Sequence, residues 1–200
     1  MKKNIEQIVF SNRQVQIINV CIKLIADGGI QNLTTKHIAE QVGVSEPALY
    51  RHFKNKLDIL KAILDEFKYT SQKEIMQINN STENSLEKLK KIFFKRIETF
   101  CIKPELSTVI FSEEIFQNEE ILSEKVMEIM QLHQQMILKI LIEAQEKNEV
   151  KNNIPAEHLS ILIMGSLRLL VTRWRMTKFT FDLDAKSKEL WNSIELLIKE

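Results

Sequence analysis

The sequence predicts an all-α protein of about nine helices, a three-helix amino-terminal module followed by a helical bundle. Three observations carry this reading. Apolar residues recur at three- and four-residue spacing almost throughout the chain. Four glycines and three prolines punctuate 200 residues, too few for the turns of a many-stranded sheet. Hydrophobic residues make up 44%, enough for a packed core, which sets aside wholesale disorder.

The first helix is expected from Asn12 to about Asp27, with Val15, Ile18, Ile22 and Ile25 on one face. Gly28-Gly29 ends it, since glycine tolerates the left-handed geometry of a helix end. Thr34 caps a second helix, Thr35 to Val42, closed by Gly43. Ser45 caps a third, Glu46 to Phe53, and Asn55 a fourth, Lys56 to about Ile78, striped by Leu57, Leu60, Leu64, Phe67 and Ile75. A polar break, Asn79-Asn80-Ser81-Thr82, follows. The fifth helix runs from about Glu83 to Ile102, with Leu86, Leu89, Phe93, Ile97 and Phe100 on one stripe. Pro104 opens a sixth, through about Phe116. The seventh spans about Glu119 to Glu149, ended by Lys151-Asn152-Asn153. Pro155 opens the eighth, to about Met176, and an Asp182/Asp184 cap starts the ninth, to about Ile198. Phe179, Phe181 and Leu183 alternate like a strand but have no partner strand in the sequence, so the segment is assigned as a loop. Residues 1–55 are assigned to the amino-terminal module and 56–200 to the body.

Charge distinguishes the two parts. Residues 1–60 carry eight Lys/Arg against five Asp/Glu, and the rest carry twenty against twenty-two. A basic head on a mildly acidic body suits a polyanion-binding module. Cys21 and Cys101 fall on expected apolar faces and read as small hydrophobes, not a disulfide. The first fourteen residues have too short an apolar run for a signal peptide. The stretch Leu159–Val171 is broken by Ser160, Ser166 and Arg168 and falls short of a membrane span. The expectation is a soluble, cytoplasmic protein without membrane contact.

The segment Thr34–Lys56 reads TTKHIAEQVGVSEPALYRHFKNK. Two short helices meet across Gly43-Val44-Ser45, with Ile38, Ala39, Val42, Val44, Leu49 and Phe53 as packing residues. A glycine in the turn lets the second helix cross the first steeply. That is the helix-turn-helix geometry, which places the second helix in a major groove and braces the first on the backbone. Thr34, Thr35 and Lys36 gather at a helix amino end, where amides and dipole attract phosphate. Ser45, Glu46, Pro47 and Ala48 form the recognition tip. There Glu46 is suited to accept from a cytosine amino group and Ala48 to touch a thymine methyl. Tyr50, Arg51 and His52 add donors one turn on, and Lys56 is placed for another phosphate.

This segment closely resembles the DNA-binding domain of the TetR/AcrR family of transcriptional regulators. The shared elements are the threonine-led helix at Thr34/Thr35, the turn Gly43-Val44-Ser45, the run Leu49-Tyr50-Arg51-His52-Phe53, and Lys56. Gly28-Gly29 and the apolar first helix match as well. The resemblance implies backbone contacts by Tyr50 and His52, phosphate binding by Lys56, double-stranded DNA with a palindromic operator as the partner, and dimerisation through the last two helices. The family's usual glycine in the recognition helix is absent, with Glu46-Pro47-Ala48 in its place, so no base preference carries over.

The body supports two expectations. The eighth helix is apolar in every direction, and a second subunit is the natural cover for its spare face. Leu162, Gly165, Ser166, Leu169, Trp191 and Ile194 are assigned to that homodimer interface. A small apolar effector is expected from the resemblance, with Phe93, Ile97, Met130, His133, Ile137 and Arg168 as lining residues. For His133, a core histidine bonded to a neighbour stands beside the ligand-orienting reading. For Arg168, pairing across the interface stands beside carboxylate binding. For the cluster Arg168, Arg173, Arg175 and Lys178 near Trp174, a second polyanion or acidic-protein site stands beside the reading as a solvated helix end.

No catalytic or cofactor motif competes with this. The four histidines lie on separate segments with no metal-ligand spacing, and no phosphate-cradling glycine loop or G-x-S-x-G occurs. The chain is expected to be no enzyme and to hold neither metal nor cofactor. The working assignment is a homodimeric repressor released by a hydrophobic effector. The alternative is a nucleoid-occlusion protein that binds DNA and a cell-division protein.

Overall fold

The structure is a computed structural model and describes residues 10–111 and 119–199, among which nine α-helices form. Helix α1 (Asn12–Gly28) starts at a capping box: the Ser11 hydroxyl accepts from the Gln14 amide while the Gln14 side-chain oxygen accepts from the Ser11 amide. The chain leaves α1 at Gly29, with φ +72°, and makes a 3-10 turn over Ile30–Asn32 that the periodicity does not announce. It enters α2 (Thr35–Val42) under Thr34, whose hydroxyl accepts from the His37 amide at 3.2 Å. Gly43 ends α2 in the left-handed region, φ +74° and ψ +41°. A Cβ there would meet nothing within 4 Å, so backbone conformation and not space favours glycine.

Helix α3 (Glu46–Tyr50) is shorter than the expected Glu46–Phe53. The amides of His52 and Phe53 both reach back to the Leu49 carbonyl, at 2.9 and 3.2 Å, and close the helix early. Two residues on, the Asn55 side chain accepts from the Asp58 amide at 2.8 Å and starts α4 (Lys56–Asn79). Ser45 holds the N-cap position of α3 without a side-chain cap; Pro47 in the first turn lacks one of the amides such a cap would use.

Asn84 caps α5 (Ser85–Ile102), accepting from the Glu87 amide at 2.8 Å, and the Glu149 carboxylate accepts from the Leu86 amide at 3.1 Å. Helix α6 (Pro104–Ile110) follows; its expected extension to Phe116 lies outside the described residues. Helix α7 (Glu120–Glu146) stops three residues before the expected Glu149. Asn148 turns left-handed at φ +55°, and the Glu149 amide closes on the Ala144 carbonyl. Helix α8 (Ala156–Met176) and helix α9 (Leu183–Ile198) complete the fold. Residues 177–182 form the expected loop. In it the Phe179 amide bonds the Trp174 carbonyl and the Trp174 indole donates to the Phe181 carbonyl.

The described residues group into two compact units, 10–71 with 108–111 and 119–127, and 72–107 with 128–199. In the first, Ile17, Ile18, Ile25, Ile38, Leu49 and Phe53 are buried, and α1 packs on α2 and α2 on α3. In the second, all five stripe residues of α5, from Leu86 to Phe100, are buried, and α9 packs on α5 and α8. Cys21 is buried, which pushes its thiol up to about 12. Cys101, expected on an apolar face, is exposed instead, since it falls one residue past Phe100 and off the buried stripe. Both cysteines are free. No described helix is long and apolar enough to cross a membrane.

Candidate nucleic-acid interface and body site

The buried Leu49 and Phe53 fix α3 from beneath and turn the rest of the segment outward. Ser45, Glu46, Pro47, Tyr50 and Arg51 are exposed, while Ala48 and His52 are half-buried. Thr34 and Lys36 are exposed and Thr35 half-buried at the start of α2. The structure joins the two groups by one bond: the Thr35 hydroxyl donates to the Glu46 carboxylate at 2.8 Å. The residue assigned to phosphate and the residue assigned to a base edge therefore hold each other.

The ammonium of Lys56 donates to the Ile30 carbonyl at 2.8 Å and is partly withdrawn from solvent, which lowers its pKa. Lys56 thus ties the start of α4 to the 3-10 turn that leads into Thr34. Gln14 plays a similar part: its amide nitrogen donates to the His52 carbonyl at 3.3 Å, fixing the turn after α3 to the start of α1. Sequence reasoning missed this role, although the S-x-x-Q spacing of Ser11 and Gln14 announces half of it. Lys125 on α7 pairs with Asp65 on α4 within the same unit.

In the body, the residues assigned to an effector separate by exposure. Phe93, Ile97 and Ile137 are buried and His133 is half-buried, but Met130 faces outward. Met130 meets Arg168 there, a terminal guanidinium nitrogen lying 4.0 Å from the sulfur. His133 is pushed down to about 3 by burial and by the positive charge of Arg96, so its imidazole is neutral near pH 7. Arg96 is the residue sequence reasoning overlooked. Burial lowers it to about 10, partly offset by Glu74, so it remains a cation. Its signal was a cation spaced one turn from both Phe93 and Phe100 of the apolar stripe, beside the equally charged Lys95.

The residues assigned to a dimer interface also divide. Leu162 and Leu169 are 60% and 62% exposed, with Gly165 exposed and Ser166 half-buried beside them. Trp191 and Ile194 turn inward instead. The helical repeat puts Ser187, Trp191, Ile194 and Ile198 on one buried stripe of α9, where the Trp191 ring lies 5.1 Å from Phe93. Opposite them, Leu196 and Leu197 are 81% and 69% exposed. Among the described residues no group of His, Cys, Asp and Glu is placed to hold a metal ion.

Two family models match the chain. "Bacterial regulatory proteins, tetR family" matches residues 17–63, and "YsiA-like protein, C-terminal region" matches residues 60–199. The chain is similar to the fatty acid metabolism regulator protein of Bacillus subtilis, 26% identical over 93% of this chain and 94% of that protein. It is also similar to the nucleoid occlusion factor SlmA of Vibrio campbellii, 22% identical over 94% of this chain and 97% of that one. Among solved structures, the fatty acid degradation regulator FadR of Bacillus halodurans superposes with a TM-score of 0.82 at 23% identity, covering 94% of this chain and 96% of that one. FadR of Bacillus subtilis in complex with stearoyl-CoA superposes with a TM-score of 0.74 at 26% identity, covering 92% and 96%.

Proposed function

The chain belongs to the tetR family of bacterial regulatory proteins, DNA-binding transcription regulators and not enzymes, and on that premise we propose that it is a homodimeric repressor of a palindromic operator. Residues 1–55 form the DNA-binding head and 56–200 the part that dimerises and binds an effector. The observation that carries the reading is the outward tip of α3, with Ser45, Glu46, Pro47, Tyr50 and Arg51 exposed above a buried Leu49. Ala48 and His52 complete the contact surface, and Thr34, Thr35 and Lys36 bring the amino end of α2 to phosphate. The exposed leucines of α8 and α9 give two chains a self-complementary apolar face, as two-fold symmetry requires.

The effector is an acyl thioester. Support comes from the stearoyl-CoA of the Bacillus subtilis structure and from the apolar surroundings of His133 between Ile129 and Ile137. The protein acts in the cytoplasm, where operator and acyl thioester meet. Similarity to the nucleoid occlusion factor over nearly the whole chain favours a second reading, a DNA-binding protein that contacts a cell-division protein.

Fluorescence anisotropy with a palindrome from the protein's own promoter tests the repressor reading. Tyr50→Ala and Lys36→Ala are expected to weaken binding on all sequences, and Lys36→Ala to reduce the salt slope by about one. Glu46→Gln is expected to relax preference at one base pair, by about 1–3 kcal/mol, with little loss elsewhere. Lys56→Ala is a poorer probe, since it also removes the bond to Ile30. Unchanged binding in all three variants refutes the assigned contacts. Release of the DNA by palmitoyl-CoA supports the effector, and insensitivity to it refutes that part.

A further inference from the structure

A hydrogen bond ties the first residue of α2 to the first residue of α3. The Thr35 hydroxyl donates to Oε2 of Glu46 at 2.8 Å, across eleven residues of chain. Both ends are anchored. Thr35 is half-buried and follows the capping Thr34, and its branched Cβ restricts the hydroxyl to few rotamers. Glu46 opens the helix whose Leu49 is buried, and the Val44 amide closes the turn between the helices on the Ala39 carbonyl at 2.9 Å. Glu46 itself is exposed. The first turn of α3 competes little for its carboxylate, since Pro47 has no amide to give.

A hydroxyl has one proton to donate, and that of Thr35 goes to the carboxylate. Thr35 thus spends its donor on Glu46 and not on a phosphate oxygen. The bond engages Oε2, and Oε1 keeps its lone pairs for a second donor. Two costs oppose the use of a glutamate against DNA. Its side chain loses rotamer freedom when it is held against a base. Taking a carboxylate out of water is costly unless donors meet it. A hydroxyl already placed on Oε2 reduces both, and the bond strengthens where DNA displaces water. Among the groups that bases present in the major groove, the amino group of cytosine is the partner suited to a carboxylate, whereas O6, O4 and N7 are acceptors and oppose it.

We propose that Thr35 is a positioning residue for base recognition: its hydroxyl holds the Glu46 carboxylate so that Oε1 accepts from a cytosine amino group. Sequence preference at that base pair then depends on a side chain of α2 that touches no base. This rests on the reading of the chain as a DNA-binding repressor.

Fluorescence anisotropy of the full chain tests it, on the palindrome from its own promoter and on duplexes with each base pair substituted symmetrically in both half-sites. Glu46→Ala locates the base pair that Glu46 reads. Thr35→Val, which keeps the side-chain shape and removes the hydroxyl, is expected to lose fivefold or more of the preference at that same base pair, with preferences elsewhere within twofold of wild type. Thr35→Ser, which restores the hydroxyl, is expected to restore the preference to within twofold. In the Glu46→Ala background, Thr35→Val is expected to change that preference by less than twofold, because no carboxylate remains to be held. Thermal melts verify that each variant folds. An unchanged preference in Thr35→Val overturns the inference, as does an equal loss of affinity on every duplex, the mark of a purely structural tie. A Thr35→Ser variant that behaves like Thr35→Val overturns it too, and so does a Glu46→Ala variant that alters preference at no base pair. All of these leave the repressor reading standing. Wild-type protein that binds the palindrome no better than unrelated DNA overturns both.

Discussion

Replacing Leu162 and Leu169 by aspartate is expected to split the dimer, leave each chain folded, and lower operator affinity by about a hundredfold or more. Both leucines lie on one face of α8 beside Gly165, more than half exposed in the single chain. Because they contribute little to the chain's own core, their loss costs the monomer little. Fully covered by a partner, each leucine contributes about 1.5–3 kcal/mol, and two-fold symmetry counts each twice. Aspartate removes that gain and leaves a charge where water is excluded. The operator effect follows from linkage. Two heads held together bind the second half-site as an intramolecular event, and separate heads do not. Light scattering gives the mass and circular dichroism the helix content. A variant that stays dimeric at micromolar concentration contradicts the assigned face.

Trp191→Ala is expected to destabilise the chain by about 3–5 kcal/mol, a large share of the 5–15 kcal/mol typical of a folded domain. The Trp191 side chain is fully buried, its ring 5.1 Å from Phe93 and 6.1 Å from Phe94, and its indole N–H donates to the Glu195 carboxylate at 3.1 Å. Truncation leaves a cavity between α5 and α9 and removes two aromatic contacts. In a chain of this size the midpoint of thermal unfolding falls by about 10 °C. Trp191→Phe keeps most of the ring volume and should recover more than half of the loss. A fall of under 1 kcal/mol for the alanine variant would contradict the core position of this ring.

The same residue shows where the sequence was legible and where it was not. The apolar stripe of α9 was visible, but the direction it faces was not. A stripe covered by α5 and a stripe covered by a second subunit have the same spacing. The α5 stripe from Leu86 to Phe100 was read correctly because five residues at a strict helical repeat leave one consistent face. The end of α3 was misread by three residues because Arg51 and His52 are compatible with a helix. The choice was made by Asn55, which starts the next helix too soon for α3 to continue. Within the segment Thr34–Lys56, residue types disclosed which groups point outward. Bonds formed across the chain, Thr35 to Glu46 and Lys56 to Ile30, leave no periodic trace. Arg96 escaped notice for a related reason: beside Lys95 and Glu98 it looks like part of a solvated flank until its neighbours in space are known.

Two copies of this chain are expected to read a symmetric DNA site through α3. Selecting bound duplexes from a random DNA library with the purified protein tests it most directly. The expected result is enrichment of an inverted repeat whose half-sites lie about 34–36 Å apart, or a multiple of that, with affinity falling steeply as salt rises. Failure to enrich any sequence, or enrichment of a single asymmetric site bound by one chain, would contradict it.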